Sequence, residues 1–129
     1  MSRPVDVGDL KIGSYVIVED VPCRIVELTK SKPGKHGAAK ARVVAIGVFD
    51  GVKRSFVKPV DSKVDMPMIE KRTGQLIAIL PNSLQIMDME TYEIFETSLQ
   101  DDELRPRLTE GVEVEYWRIL GQTKVMRVK

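Results

Sequence analysis

Most of the residues able to do chemistry lie together in one segment. Ser31-Lys32-Pro33-Gly34-Lys35-His36-Gly37-Ala38-Ala39-Lys40 holds three lysines and the only histidine of the 129 residues. A Gly-Lys pair such as Gly34-Lys35 suggests a phosphate-cradling loop, but that motif requires G-x-x-x-x-G-K-[ST]. Here Thr29 stands where the first glycine belongs and His36 where the hydroxyl belongs. A lysine nucleophile or Schiff-base former needs a partner that lowers its pKa and a pocket that dries it. Only His36 is adjacent, and the small residues around it build no pocket. What remains is a cation on a flexible four-carbon stem, offered for contact. On composition alone, a solvated charged loop fits as well.

The segment sits between two β-type runs, so it reads as the tip of a hairpin. Pro33 presets φ and Gly34 accepts a positive φ, so Lys32-Pro33-Gly34-Lys35 suits a type II turn with Lys35 leaving its far end. Gly37 allows a second reversal. Strands are expected at 14–19, 22–30, 40–49 and 52–58, with Asp50-Gly51 as a type I′ turn. Val44, Ile46 and Val48 share one face of the third of these, and the smaller Val43, Ala45 and Gly47 the other. Such short strands suggest an SH3-like barrel over residues 1–68. The pattern breaks near Asp65-Met66-Pro67, and a new β run follows Gly74. Five further strands, near 75–80, 83–89, 91–97, 111–119 and 122–128, with a helical turn at 101–105 stopped by Pro106, suggest an OB-type barrel over 69–129. The fold class expected is all-β.

Bulk properties narrow the function. Hydrophobic residues make up 43% and charged residues 30%, a composition that packs a core. The longest apolar runs fall far short of the roughly 20 residues that span a bilayer, so no membrane partner is expected. The first ten residues lack the apolar stretch of a secretory signal, and a cytoplasmic location is expected. One cysteine, Cys23, and one histidine are too few for a metal site, and Cys23 reads as a small buried residue. The net charge of +1 hides a split: residues 1–68 carry twelve Lys/Arg against eight Asp/Glu, a net of +4, and residues 69–129 carry eight against eleven, a net of −3. Lys30, Lys32, Lys35, Lys40 and Arg42 follow one another with no acid between Glu27 and Asp50, so a polyanion meets this segment first. Two other classes weaken against this pattern. A generic single-stranded RNA binder wants a basic groove in the second half, which is acidic. A small-molecule enzyme wants convergent titratable groups.

The stretch from Ser31 to Ala41, followed by Arg42-Val43-Val44-Ala45-Ile46, resembles the translation initiation factor 5A family in its archaeal form. Val21-Pro22-Cys23-Arg24-Ile25-Val26-Glu27 and Asp65-Met66-Pro67 are similar to it as well. The resemblance implies an SH3-like domain followed by an OB domain, and a translation factor rather than an enzyme. It implies that Lys35 receives a spermidine-derived aminobutyl group from an NAD-dependent deoxyhypusine synthase, giving deoxyhypusine or, after hydroxylation, hypusine, with no bound cofactor. Lys32, Pro33, Gly34, His36 and Gly37 would present that side chain. Lys30, Lys40 and Arg42 would touch RNA or the modifying enzyme. The partners implied are the ribosome, its rRNA and the peptidyl-tRNA, with peptide-bond formation at stalled, for example proline-rich, sequences as the step promoted.

Overall fold

The computed structural model describes residues 2–31, 39–98 and 104–129. The chain is all-β apart from two single 3-10 turns among these residues, and it divides into two compact units, Met1–Met68 and Ile69–Lys129.

In the first unit, β1 (Ser2–Asp6) leads through a 3-10 turn (Val7–Asp9) to β2 (Tyr15–Val18), β3 (Val21–Ser31), β4 (Lys40–Gly47), β5 (Lys53–Pro59) and β6 (Lys63–Pro67). Strands β2-β3-β4-β5 form an antiparallel meander, and β1 pairs with β6. The face of β4 that carries Ala41, Val43 and Ala45 packs on Val7, Leu10, Val16, Cys23 and Ile25, so the small residues face the core. Fully burying an aliphatic side chain such as Ile25 contributes about 1.5–3 kcal/mol. Strands β1 and β6 lie outside the runs expected from sequence, because Ser-Arg-Pro-Val-Asp has little apolar content and its partner is some sixty positions away (Ser2 pairs with Pro67).

The type I′ turn is at a different place from the one expected. Glu19 and Asp20 both take positive φ, 52° and 64°, between the paired Val18 and Val21. At Asp50-Gly51 only Gly51 is left-handed, and β4 and β5 end at Gly47 and Lys53, leaving a five-residue connection. The Asp50 carboxylate explains this: it accepts the Val52 N–H at 2.9 Å and takes two bonds from the Arg54 guanidinium. A Cβ on Gly47 would collide with that carboxylate.

The second unit contains β7 (Ile69–Ile79), β8 (Ser83–Asp88), β9 (Ile94–Ser98), a 3-10 turn (Arg105–Arg107), β10 (Glu113–Ile119) and β11 (Gln122–Val128). They form one sheet in the order β11-β10-β7-β8-β9. Its curl brings the two edge strands together, where the Thr97 hydroxyl donates to the Thr123 carbonyl and accepts from the Thr123 hydroxyl, both at 3.0 Å. Leu76, Leu84, Ile86, Val114, Tyr116 and Val125 fill the interior. Strand β7 starts at Ile69, not after Gly74, since Glu70, Lys71 and Arg72 pair with Arg118, Trp117 and Tyr116; tertiary pairing outweighs the charge of that stretch. Pro106 lies inside its turn rather than stopping it, because the first N–H groups of a helical turn have no internal partner to lose. Residues 101–103 of the helical turn expected there lie outside the described residues.

A carboxylate organises this unit. Asp88 is 2% exposed. It accepts from Arg72 Nε at 2.6 Å and Arg72 Nη2 at 3.2 Å, from the Tyr116 hydroxyl, and from the N–H groups of Glu90 and Thr91 at 2.8 and 2.9 Å. Gly74 makes room beside it, since a Cβ there would stand 2.5 Å from Ile86 Cγ2 and 3.2 Å from Tyr116 Cδ1. The Arg72 guanidinium holds the Asp88 carboxyl well below the usual carboxylate range, against the opposing effect of burial. Burial and the Asp88 charge push the Tyr116 hydroxyl up to about 12.

Both shifts give the stability a pH signature. The depressed Asp88 contributes fully above its unfolded value near 3.8, and that contribution is lost as pH falls below it. The raised Tyr116 contributes fully below its ordinary value of 10.0 and loses its part between there and about 12. Urea melts of Asp88→Ala at pH 7 should show a loss of about 1–3 kcal/mol, the cost of leaving the buried Tyr116 hydroxyl without its acceptor. The variant should also show a flatter decline in stability below pH 4 than the parent. Equal acid limbs in parent and variant would remove Asp88 from this role.

Candidate functional site

The hairpin of β3 and β4 is paired up to the rung Ser31 with Lys40. Lys32, Pro33, Gly34, Lys35, His36 and Gly37 fall between these two residues and lie outside the described residues. What the structure describes is the mount on which that connection stands. Rungs continue sideways into β5, where Lys40 faces Pro59, Ala41 faces Lys58 and Arg42 faces Val57.

Strand alternation sorts the cations of this mount onto two faces. Lys40 and Arg42 project together from the outer face, both exposed. Lys30 lies opposite Ala41 and therefore on the other face, and Lys58 flanks the same rung from β5. Four cations thus surround the root within three rungs, two to a side. Lys30, Lys40 and Arg42, expected from sequence to touch RNA or the modifying enzyme, occupy different settings. Lys30 turns back to donate from Nζ to the Gly8 carbonyl at 2.8 Å, while Lys40 and Arg42 face solvent. Lys58 went unremarked in the sequence because only strand register brings residue 58 beside residue 41; its ammonium lies 5.5 Å from the Phe56 ring centre.

A second tie holds the root from the β5–β6 turn, where the Val60 N–H donates to the Ala39 carbonyl at 2.9 Å. Between the two ties lies an open cleft of about 430 Å³, lined by Asp6, Gly8, Asp9, Lys30, Ala39, Val60 and Asp61. Gly8 fits tightly there, since a Cβ would come within 3.2 Å of Val60 Cβ and of its carbonyl oxygen. Asp6 is ion-paired with Lys63, whose ammonium is held above its ordinary range by that carboxylate.

Cys23 is fully buried, as expected. It pairs with Gly47 at the end of the ladder opposite the root, its Sγ donates to the Val21 carbonyl at 3.3 Å, and burial pushes its thiol up, away from the thiolate that reacts. Among the described residues no group of three or more His, Cys, Asp or Glu is arranged to hold a metal ion. No described helix is long and apolar enough to cross a membrane. The described mount offers two hydrogen-bonded ties and four cations around the root.

Comparison with known proteins accounts for both units. A family model described as translation initiation factor 5A-like, N-terminal, matches residues 1–62, and one described as eukaryotic elongation factor 5A hypusine, DNA-binding OB fold, matches residues 68–129. The chain is 59% identical over 127 residues to the translation initiation factor 5A of Methanothermobacter thermautotrophicus, covering 98% of this chain and 97% of that one. It is 55% identical over 128 residues to that of Pyrococcus furiosus, covering 97% and 93%. A solved structure described as eukaryotic translation initiation factor 5A from Methanococcus jannaschii superposes with a TM-score of 0.93 at 49% identity, covering 99% of this chain and 95% of that one. The all-β fold expected from sequence is observed, with a 5A-like N-terminal domain followed by an OB-fold domain. With both halves matched and relatives 55% and 59% identical over nearly the whole chain, the chain belongs to the translation initiation factor 5A family, whose members are hypusine-containing translation factors rather than enzymes.

Proposed function

We propose that this chain binds the cytoplasmic ribosome beside the peptidyl-tRNA and promotes peptide-bond formation at stalled sequences, such as proline runs, through a hypusine or deoxyhypusine side chain on Lys35. The observation that supports it best is the root of the β3–β4 hairpin, paired up to Ser31 and Lys40, tied to Gly8 and Val60, and ringed by Lys30, Lys40, Arg42 and Lys58. In this reading residues 1–68 are the working domain and residues 69–129 position it. Lys32, Pro33, Gly34, His36 and Gly37 present Lys35, and the modifying partner is a deoxyhypusine synthase that transfers the aminobutyl arm of spermidine to the Lys35 nitrogen.

The modification suits the task. It turns one primary amine into a secondary amine followed by four carbons and a second amine, so two cations sit on a thin stem able to pass among phosphates and riboses. The ribosome remains the catalyst. The factor adds rate by holding the acceptor end of the tRNA in a reactive orientation, a contribution of the proximity type. Lys40 and Arg42, on the exposed outer face, contact RNA phosphates, whereas Lys30 keeps the root in place.

Three outcomes are expected. Peptide mapping of the protein from its native host should show Lys35 heavier by one aminobutyl group, with or without one oxygen; fully active protein with unmodified Lys35 would remove the central claim. In translation of proline-run templates, modified wild-type protein should relieve stalling and Lys35→Ala should not, and equal relief by both would count against the mechanism. Ribosome binding by the double variant Lys40→Ala/Arg42→Ala should weaken and lose salt dependence, the slope of log affinity against log salt falling by about one unit per phosphate contact removed. An unchanged slope would take these two residues off the RNA.

A further inference from the structure

The acidic total of the second unit is spread unevenly. Its eight Lys and Arg are outnumbered by eleven Asp and Glu, yet the outer face of β7, β10 and β11 gathers cations. One rung sets Trp117 of β10 between Lys71 of β7 and Lys124 of β11. Two residues along, Glu115 stands between Thr73 and Arg127, and the Lys129 ammonium donates to the Thr73 hydroxyl. By strand alternation these side chains lie opposite Val114 and Tyr116, which fill the core. With Glu113 on the same side, the face carries four cations and two acids. The strands on which such barrels customarily take oligonucleotides, the second and third, are β8 and β9 here, and they hold no Lys or Arg.

The Trp117 ring is held in position outside the apolar cluster of the unit. Its indole N–H donates to Glu115 Oε2 at 3.3 Å, and Glu115 Oε1 accepts from Arg127 Nη2 at 3.3 Å, so one edge of the ring is fixed. The Lys71 ammonium stands 4.7 Å from the ring centre, with Lys71 exposed and Trp117 half-buried. An exposed ammonium over a ring is a weak contact, and a stacked base is a stronger one. A base can therefore take the ring while the ammonium moves onto a neighbouring phosphate. An aromatic ring with a cation on either side is what an unpaired nucleotide segment needs, since the ring accepts any base and the cations follow the backbone. A duplex, whose bases already stack on one another, offers this ring no free face.

We propose that the outer face of β7, β10 and β11 binds a single-stranded nucleic acid, with one unpaired base stacked on Trp117 and the phosphates on either side of it paired with Lys71 and Lys124. Arg127 and Lys129 add positive charge beside them. The contact goes beyond the ribosomal reading, since it needs neither the ribosome nor a modified Lys35. It is tolerant of sequence, because every base has a face that stacks.

Trp117 is the sole tryptophan of the chain, so its fluorescence reports on this face. The full-length protein is titrated with an oligoadenylate RNA about ten nucleotides long, unlabelled for tryptophan emission and end-labelled for anisotropy. Emission should be quenched to saturation, with the same midpoint as the anisotropy. By anisotropy, Trp117→Leu should bind about tenfold more weakly, the effect of losing one stacked base. Lys71→Ala/Lys124→Ala, which keeps the ring, should bind more weakly and flatten the slope of log affinity against log salt by about 1.4, two single-strand phosphates at about 0.7 each. Anisotropy that rises without quenching puts the RNA elsewhere and overturns the proposal, as does an unchanged slope. Equal quenching by inorganic polyphosphate, which has no bases, overturns the stacking on Trp117. Failure of the wild-type chain to bind overturns the site as a whole. None of these results bears on ribosome binding or on Lys35, so the ribosomal reading stands or falls separately.

Discussion

Holding a loop still at the end of a two-stranded ladder is difficult, because isolated hairpins are marginally stable and twist freely at their ends. The first unit meets this constraint with two ties that come from outside the hairpin. Lys30 reaches across to the Gly8 carbonyl, and Val60 donates to the Ala39 carbonyl from the next turn. Each net hydrogen bond contributes only about 0.5–1.5 kcal/mol, yet together they fix the root against two separate elements. The backbone turn at Val7–Asp9 and the strands β1 and β6 are then parts of the mount. Deleting β1 would act on the loop through Gly8 even though no residue of β1 belongs to it.

The two units solve the problem of a small core differently. A domain near sixty residues buries a limited share of its surface. The first unit fills its centre with small aliphatic groups, Ala41, Val43 and Ala45 among them. The second places a carboxylate at the edge of its core and surrounds it with Arg72, Tyr116 and two backbone N–H groups. Such a group adds little net stability compared with an apolar replacement, and its use is to specify one arrangement. Here it sets the register of β7 against β8 and fixes the course of the chain between β8 and β9.

How much of this was legible in the sequence follows from the range of the interactions involved. The strands β3, β4, β8, β10 and β11 were readable to within a few residues, because each carries its own period-two pattern or is bounded by strong turn residues. The Lys35 segment stood out because its residues are unusual together. Strands β1 and β6 were not readable, since their stability lies in pairing with each other across the unit. The early start of β7 was hidden by Glu70-Lys71-Arg72, whose charges have partners on other strands, Asp88 for Arg72 and Trp117 for Lys71, whose ammonium lies 4.7 Å from the ring centre. The expected strands 14–19 and 22–30 left a turn between them, but its type I′ form at Glu19-Asp20 was not legible because neither residue is glycine or asparagine, and Asp50-Gly51 misled because a salt bridge to Arg54 reshapes it. Lys30, Lys40 and Arg42 stand out in the sequence as cations flanking the Lys35 segment, but their division between two faces and the nearness of Lys58 do not, because both depend on register.

The seam between β9 and β11 has a kinetic consequence. Among the described residues the two strands share no backbone ladder, and threonine hydroxyls and a carbonyl bond across the seam. Parting these strands leaves the backbone pairing of the sheet intact, so the barrel can open along one line as a cuff opens at its button while the other strands stay joined. Local openings have free energies that range from near zero up to that of global unfolding. Among the described residues the second unit is thus a coiled sheet whose edge strands meet through side chains rather than a backbone ladder.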